Sequence, residues 1–320
     1  MRLTRFATAA LLAATPFLSA QAQDYPAREV HVICGYTAGS GADILVRFFS
    51  DRLAKRAGKP FIVENKAGAL TTIAGEYVRN AKPDGYTLYI TAGNSSFASA
   101  PFLVRDLRYN PATDFSPITT LGRLPFILTV SPRSSATSVA ELTRILKDKN
   151  GKGFYGTSNA FAIAASERYA KTAGFKVDQV RYKSSGDAMM DMNNQGQLDF
   201  VFIDGTFAVQ QKDKLRMLAV SSGVRSQVAP EVPTMIEAGV ADFDLTAWWG
   251  AWFPPKTPQP IVDKVAGWLN QILATDEAKK FLAQSATDPW PGSPQSLAAL
   301  VPKEVEKWGV LIKEANIEPE

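Results

Sequence analysis

Histidine and cysteine each occur once in the 320 residues, as His31 and Cys34. One imidazole and one thiol exclude a clustered His/Cys metal centre, a disulfide framework and a repeated histidine-based hydrolase site. Runs of one charge are missing too. The 35 Lys and Arg stand against 31 Asp and Glu, a net charge of +4, and are scattered, so no phosphate-tracking patch forms and nucleic acid is not an expected partner. The longest apolar stretch, 6–18, carries Thr8, Thr15 and Pro16 and falls short of the roughly 20 residues that span a bilayer. What is present is globular: 46% hydrophobic and 21% charged residues exclude a disordered chain. Backbone amides, hydroxyls, carboxylates and aromatic rings are left as the working chemistry, with no cofactor, metal ligand set or catalytic residue expected.

Residues 1–22 read as a signal peptide: Arg2 and Arg5 start it, the apolar stretch follows, and Ala20-Gln21-Ala22 is an A-x-A cleavage site. Export to a bacterial periplasm is the expected address. No cysteine follows the apolar stretch, so no lipid anchor is expected. Cys34 lies three residues from His31 on an alternating segment, which puts the two side chains on opposite faces of a strand and denies them a dyad. Cys34 is expected to act as a small buried hydrophobe.

The body alternates short β-branched runs with helical periodicity, the pattern of an α/β fold with mostly parallel sheet. Strands are expected at 29–34, 61–63 and 86–91, with helices at 43–57 and 71–81 between them. The pattern restarts with a strand at 126–130 and a helix at 138–149, N-capped by Ser138 with Glu141 three residues on. Strands at 153–156, 179–182, 200–203 and 217–221 continue it, and the chain beyond Pro254-Pro255 is helical. Two lobes follow: 23–124 with 254–320 as the first and 125–253 as the second, with crossings near Leu124-Pro125 and 248–253. A ligand site is expected in the cleft between them, where strand-end loops meet.

Four segments suit that site. Tyr36, Thr37, Ala38, Gly39, Ser40 and Gly41 lead from the first strand into a helix. Small residues there let several N–H groups converge, and the helix dipole favours an anion. The third glycine of a dinucleotide loop is absent, since Ile44 stands in its place, and no Walker lysine follows. The matching loop of the second half is Thr157, Ser158, Asn159, Ala160 and Phe161. Asn94 and Ser95 follow the third strand, and Asp204 and Phe207 follow the strand at 200–203. Trp248 adds aromatic surface at the second crossing, either walling the cleft or packing the hinge. Asp204 has no partner carboxylate or histidine nearby in sequence, so positioning is expected of it rather than catalysis.

These segments together resemble the periplasmic solute receptors of tripartite tricarboxylate transporters, the Bug-type receptors, over essentially the whole mature length. The matching runs include Val63-Glu64-Asn65 with Gly68-Ala69, Pro83-Asp84-Gly85-Tyr86-Thr87-Leu88, Tyr109-Asn110-Pro111, Gly196-Gln197-Leu198-Asp199 and Val232-Pro233-Thr234 with Glu237-Ala238-Gly239. The resemblance implies a two-lobe periplasmic-binding-protein fold of class α/β, with a mixed, mostly parallel sheet in each lobe and a hinged cleft. It also implies a monomer that grips an organic acid through the backbone of the two facing loops and delivers it to the permease subunits of a secondary transporter. The chain departs from the family where Gly35, Thr37, Ala38 and Ser40 replace a proline- and glycine-rich opening. The second loop is about two residues shorter, lacks the usual histidine and turns apolar after Ala160. With Tyr36 and Phe161 as stacking surfaces, these departures point to a carboxylate on an aromatic or otherwise apolar body.

Other readings of the same chain are a receptor for a small polar acid such as citrate or an acidic amino acid, a sensor for a signalling partner, and an exported hydrolase. The last is the weakest, since Lys183 adjoins Ser184 and Ser185 instead of lying one helical turn away.

Overall fold

Val30, Val32 and Cys34 point to one side of the first strand and Ile33 to the other, and both sides are buried. A strand covered on both faces has to be apolar throughout, as this one nearly is. In a computed structural model of the chain, which describes residues 25–194 and 196–319, this strand is β1 (Val30–Cys34). The expected signal peptide, 1–22, lies outside the described residues. Helix α1 (Gly41–Ala57) lays Leu45, Phe49 and Leu53 on the side of Val30 and Val32. Strands β2 (Phe61–Asn65) and β3 (Thr87–Ala92) flank β1 in parallel, and α2 (Thr72–Arg79) covers the Ile33 face with Ala74 and Val78. His31 hydrogen-bonds Glu64 through Nδ1, while Cys34 is buried and unoxidised, with burial pushing its thiol pKa up.

After a π-helical turn (Asn94–Ser99) and the short α3 (Ala100–Leu103), the chain enters β4 (Ser116–Val130), a strand of 15 residues. Sequence patterning marks only its last five residues, because Thr119, Thr120, Gly122 and Pro125 dilute the β signal ahead of them. Pairing on both sides overrides that weakness. Residues 116–125 pair antiparallel with β9 (Thr246–Phe253), whose other edge pairs with β3. From Phe126 onward β4 pairs instead with β7 (Phe200–Asp204) and β8 (Arg216–Val220). The change of partner falls at Pro125, a residue with no N–H to give to a ladder.

The second half repeats the parallel motif. Helix α4 (Val139–Asp148) is capped by Ser138, whose Oγ accepts from the Glu141 amide. Strands β5 (Gly153–Thr157), β6 (Val177–Arg181) and β7 run parallel, joined by α5 (Ala160–Ala173) and α6 (Ser185–Asn194), and the short α7 (Gly205–Gln210) leads out. The sheet order is β2-β1-β3-β9-β4-β7-β5-β6, with β8 and β10 (Asp288–Pro289) also on β4. The result is a mixed sheet with helices on both faces, the α/β class expected.

Two expectations about the division need correction. The run 248–253 does not lead out of the second half. It is the body of β9, which pairs wholly with β3 and the first ten residues of β4. Its alternation explains the placement: Trp248 and Trp252 pack on one face, Trp249, Ala251 and Phe253 on the other. The chain returns at Leu245, whose N–H donates to the Ser221 carbonyl. The C-terminal segment is also not confined to the first half. Helices α8 (Gln259–Leu273) and α9 (Asp276–Gln284) pack there, but α10 (Pro294–Glu314) bridges both. Its Leu297 and Val301 meet Trp248 and Trp252, whereas Trp308, Leu311 and Ile312 join Phe126, Phe161 and Phe202.

Removing the Trp308 ring, which is 3% exposed, should cost about 3–5 kcal/mol. The urea midpoint of Trp308→Ala measures this, and a change below about 1 kcal/mol contradicts the bridging role of α10.

Candidate ligand-binding cleft

The carboxyl ends of β1 and β3 face the start of β9, and the loops there are stitched together. Ser40 caps α1, with Oγ accepting from the Asp43 amide and donating to the Thr37 carbonyl. Asp43 is buried. Its carboxylate accepts from the Gly39 amide, Arg47 Nε and Asn65 Nδ2, each at 2.8 Å. Asn65 Nδ2 also donates to the Tyr36 carbonyl at 2.9 Å. Burial opposes the charged form of Asp43, but the bonds from Arg47, Asn65 and Gly39 outweigh it and hold the carboxyl at about 2.

This arrangement changes the role of Gly39. Its φ of 80° explains why glycine is there, and its N–H belongs to Asp43 rather than to a ligand. The donors that α1 leaves over are the first-turn amides of Gly41 and Ala42, since those of Asp43 and Ile44 go to Ser40. Thr37 and Ala38 are exposed at the loop tip. Tyr36 turns inward: its hydroxyl meets Ser95 Oγ at 3.1 Å and its ring lies 5.8 Å from that of Trp249. Burial pushes its phenol pKa up.

One residue of this region, Thr71, carries no sequence signal, and two more, Ser96 and Trp249, take roles that the sequence does not single out. Thr71 has φ 74°, a conformation a β-branched residue adopts only under constraint. The constraint is visible: Thr71 Oγ1 meets Ser96 Oγ at 2.5 Å, and its Cβ lies 2.8 Å from where a side chain on Gly35 would begin. Thr71 therefore ties together the loops after β1, β2 and β3. Ser96, the centre of that hydroxyl cluster, also meets Thr91 Oγ1 at 2.7 Å. Trp249, not Trp248, is the half-exposed tryptophan beside Tyr36.

In the second half, Asn159 caps α5 by accepting from the Ala162 amide at 2.9 Å. Thr157 is buried and donates to the Asn159 carbonyl, so the Thr157 hydroxyl and Asn159 Oδ1 are spent on the loop. Ser158 keeps a half-buried hydroxyl 3.2 Å from Ser185 Oγ. With Ala160, Gln179, Arg181, Tyr182 and the tail residues Asn316 and Glu318, these residues line a cavity of about 610 Å³ whose wall does not include the first loop.

Four expected site residues are placed differently by the structure. Phe161 is not a cleft wall: it stacks on Phe126 at 3.9 Å and meets Trp308 at 5.6 Å, so its faces are taken. Asp204 caps α7, accepting from the Phe207 amide at 3.0 Å, and burial pushes its pKa up, while Phe207 packs against the cluster of Met189 and Ile203. The Trp248 ring is core packing. A side chain on Gly93 would begin 2.1 Å from it, which is why the position is glycine. Asn94 has a buried Oδ1 without a partner. Among the described residues, no group of His, Cys, Asp and Glu suits a metal ion, and no helix is long and apolar enough to cross a membrane.

A family model described as the tripartite tricarboxylate transporter family receptor matches residues 45–317. The chain belongs to that family. A UPF0065 protein of Bordetella bronchiseptica is 31% identical over 97% of this chain and 92% of its own length. A protein of Rhodopseudomonas palustris solved with adipate is 28% identical, with a TM-score of 0.73 over 93% of this chain and all of its own. Another from that organism, solved with bound malate, is 26% identical, with a TM-score of 0.69 over 90% of this chain and all of its own. Receptors of this family are periplasmic solute-binding proteins, so the chain is a solute receptor and not an enzyme.

Asp43 makes the first loop sensitive to acid. Its carboxyl falls from the ordinary 3.8 to about 2 on folding, so it contributes stability above about pH 4 that is lost as pH falls toward 2. The gap in urea midpoint between the wild type and Asp43→Asn should be open at pH 6 and close across that window. A gap of constant size contradicts the assignment.

Proposed function

We propose that the chain is exported to the periplasm as a monomeric receptor that captures a small carboxylate with an apolar body and delivers it to a membrane permease. In this reading the lobes meet where β4 changes partners at Pro125 and where the chain returns at Leu245, and they close around the acid by hinging there. The observation that carries it is the placement of the aromatic pair Tyr36–Trp249 beside the free first-turn amides of α1. Amides at a helix N-terminus suit a carboxylate, and the adjoining rings suit an apolar body. Ser158 and the first turn of α5 supply the facing donors. The adipate bound by one structural neighbour has this make-up, two carboxylates on a methylene chain.

A small polar acid is the second reading. It is favoured by the loss of Phe161 from the cleft wall and by the malate bound in another neighbour. A thermal-shift panel of adipate, benzoate, phenylacetate, citrate, malate, aspartate and glutamate separates the two. Apolar-bodied acids should stabilise the protein by about 2.7 kcal/mol at about a hundred times their dissociation constants. Stabilisation by the polar acids alone contradicts the first reading.

Gly39→Val forces a β-branched residue to a positive φ and breaks the loop held by Asp43. It should weaken binding at least about tenfold while costing about 1–3 kcal/mol of stability. An unchanged dissociation constant removes this loop from the site.

A further inference from the structure

Arg123 lies on β4 two residues before the change of partner, directly opposite Trp248 on β9 and Asp288 on β10. Directly opposed residues share a face of the sheet, so the three side chains gather on one side of the crossing. The Arg123 guanidinium carbon is 5.8 Å from the Trp290 ring centroid, and Trp290 meets Trp248 edge-on at 6.5 Å.

Two donors here have no acceptor. Arg123 Nε is buried and unpartnered, and so is Trp248 Nε1 on a side chain only 1% exposed. Asp288, the nearest carboxylate by register, accepts from the Gln227 amide at 2.9 Å and Ser226 Oγ at 3.4 Å, and forms no ion pair with Arg123. Burial pushes the Asp288 carboxyl pKa up and the Arg123 charge pulls it down, so Asp288 is a counter-charge for Arg123 without bonding it. Arg123 Nε remains a buried donor left unmade, which is costly. Asn94 Oδ1, next to Gly93 on which the Trp248 ring packs, is a third unpartnered buried atom and fits a hydroxyl or a water.

We propose that Arg123, together with Trp248 Nε1, is a specificity-determining donor pair that receives an anionic group of the ligand at the strand crossing. The assignment rests on the carboxylate-receptor reading above and deepens it. The pair lies on the face of β9 opposite Trp249, at the carboxyl end of β3, where Gly93 covers the Trp248 ring and Ser95 meets Tyr36. An acid anchored by one carboxylate at the first loop reaches it with a second around that strand end. A positive donor and an indole N–H side by side match an oxyanion better than a neutral group. The ligand is then an acid with at least two anionic groups.

Calorimetry with matched pairs (succinate and butyrate, adipate and hexanoate, suberate and octanoate) tests this on the wild type, Arg123→Gln, Arg123→Lys and Trp248→Phe. At least one diacid should bind roughly tenfold or more tightly than its monoacid. Arg123→Gln should erase that preference without weakening the monoacid, and Arg123→Lys should keep part of it. Trp248→Phe, which removes the N–H and keeps the ring, should weaken the diacid severalfold and serves if Arg123→Gln does not fold. Monoacids binding the wild type as tightly as diacids overturn the assignment, as does a preference that survives Arg123→Gln or, where that variant does not fold, Trp248→Phe. Binding of none of the acids overturns the receptor reading itself, and the Arg123 assignment with it.

Discussion

Pro125 cannot donate a backbone hydrogen bond, and at that residue a single 15-residue strand leaves one set of partners for another. Much else in the molecule follows from this break. Before it, β4 belongs with β9 and, through β9, with the parallel unit of β1, β2 and β3. After it, β4 belongs with β7 and β8 and, through β7, with β5 and β6. Each half thus has its own helices and its own clusters, and the carboxyl ends of the two parallel units flank the crossing. Helix α10 spans the break in the packing, with Trp308 against Phe126 and Phe161 at one end and Leu297 against Trp248 at the other.

The strand-end loops gain rigidity from internal bonds rather than from regular structure. Asp43 uses its carboxylate to hold three neighbours, and Thr71 accepts an unfavourable φ to hold two loops. Such strain is retained where surrounding contacts over-determine it, commonly at ligand clamps. The consequence for binding is selective. Side chains that look suited to a ligand, among them Asp43, Thr157, Asn159 and Asp204, are occupied in shaping their loops. The groups left over are first-turn amides, the Tyr36 and Trp249 rings and the unpaired donors at the crossing.

The βαβ framework was legible because its signals are local: the apolar run of β1, the periodicity of α1 and the Ser138–Glu141 cap belong to short windows. The first ten residues of β4 were not, because threonine, glycine and proline are held extended only by strands on either side. Trp248 and Trp249 illustrate the limit within one dipeptide. Sequence marks both as aromatic surface, yet the pleat sends Trp248 into the core against Gly93 and leaves Trp249 beside Tyr36. Phe161 misled for the same reason, since its partners Phe126 and Trp308 lie far away in sequence. Thr71 and Arg123 carry no motif, and only tertiary contacts bring them into view.

A crystal structure of the protein with its tightest-binding acid tests the central claim most directly. The acid is expected between the two halves, one carboxylate on the amides of Gly41 and Ala42 and its body against Tyr36 and Trp249. An acid seated elsewhere, for instance in the surface groove beside Tyr77 and Asp84, would contradict it.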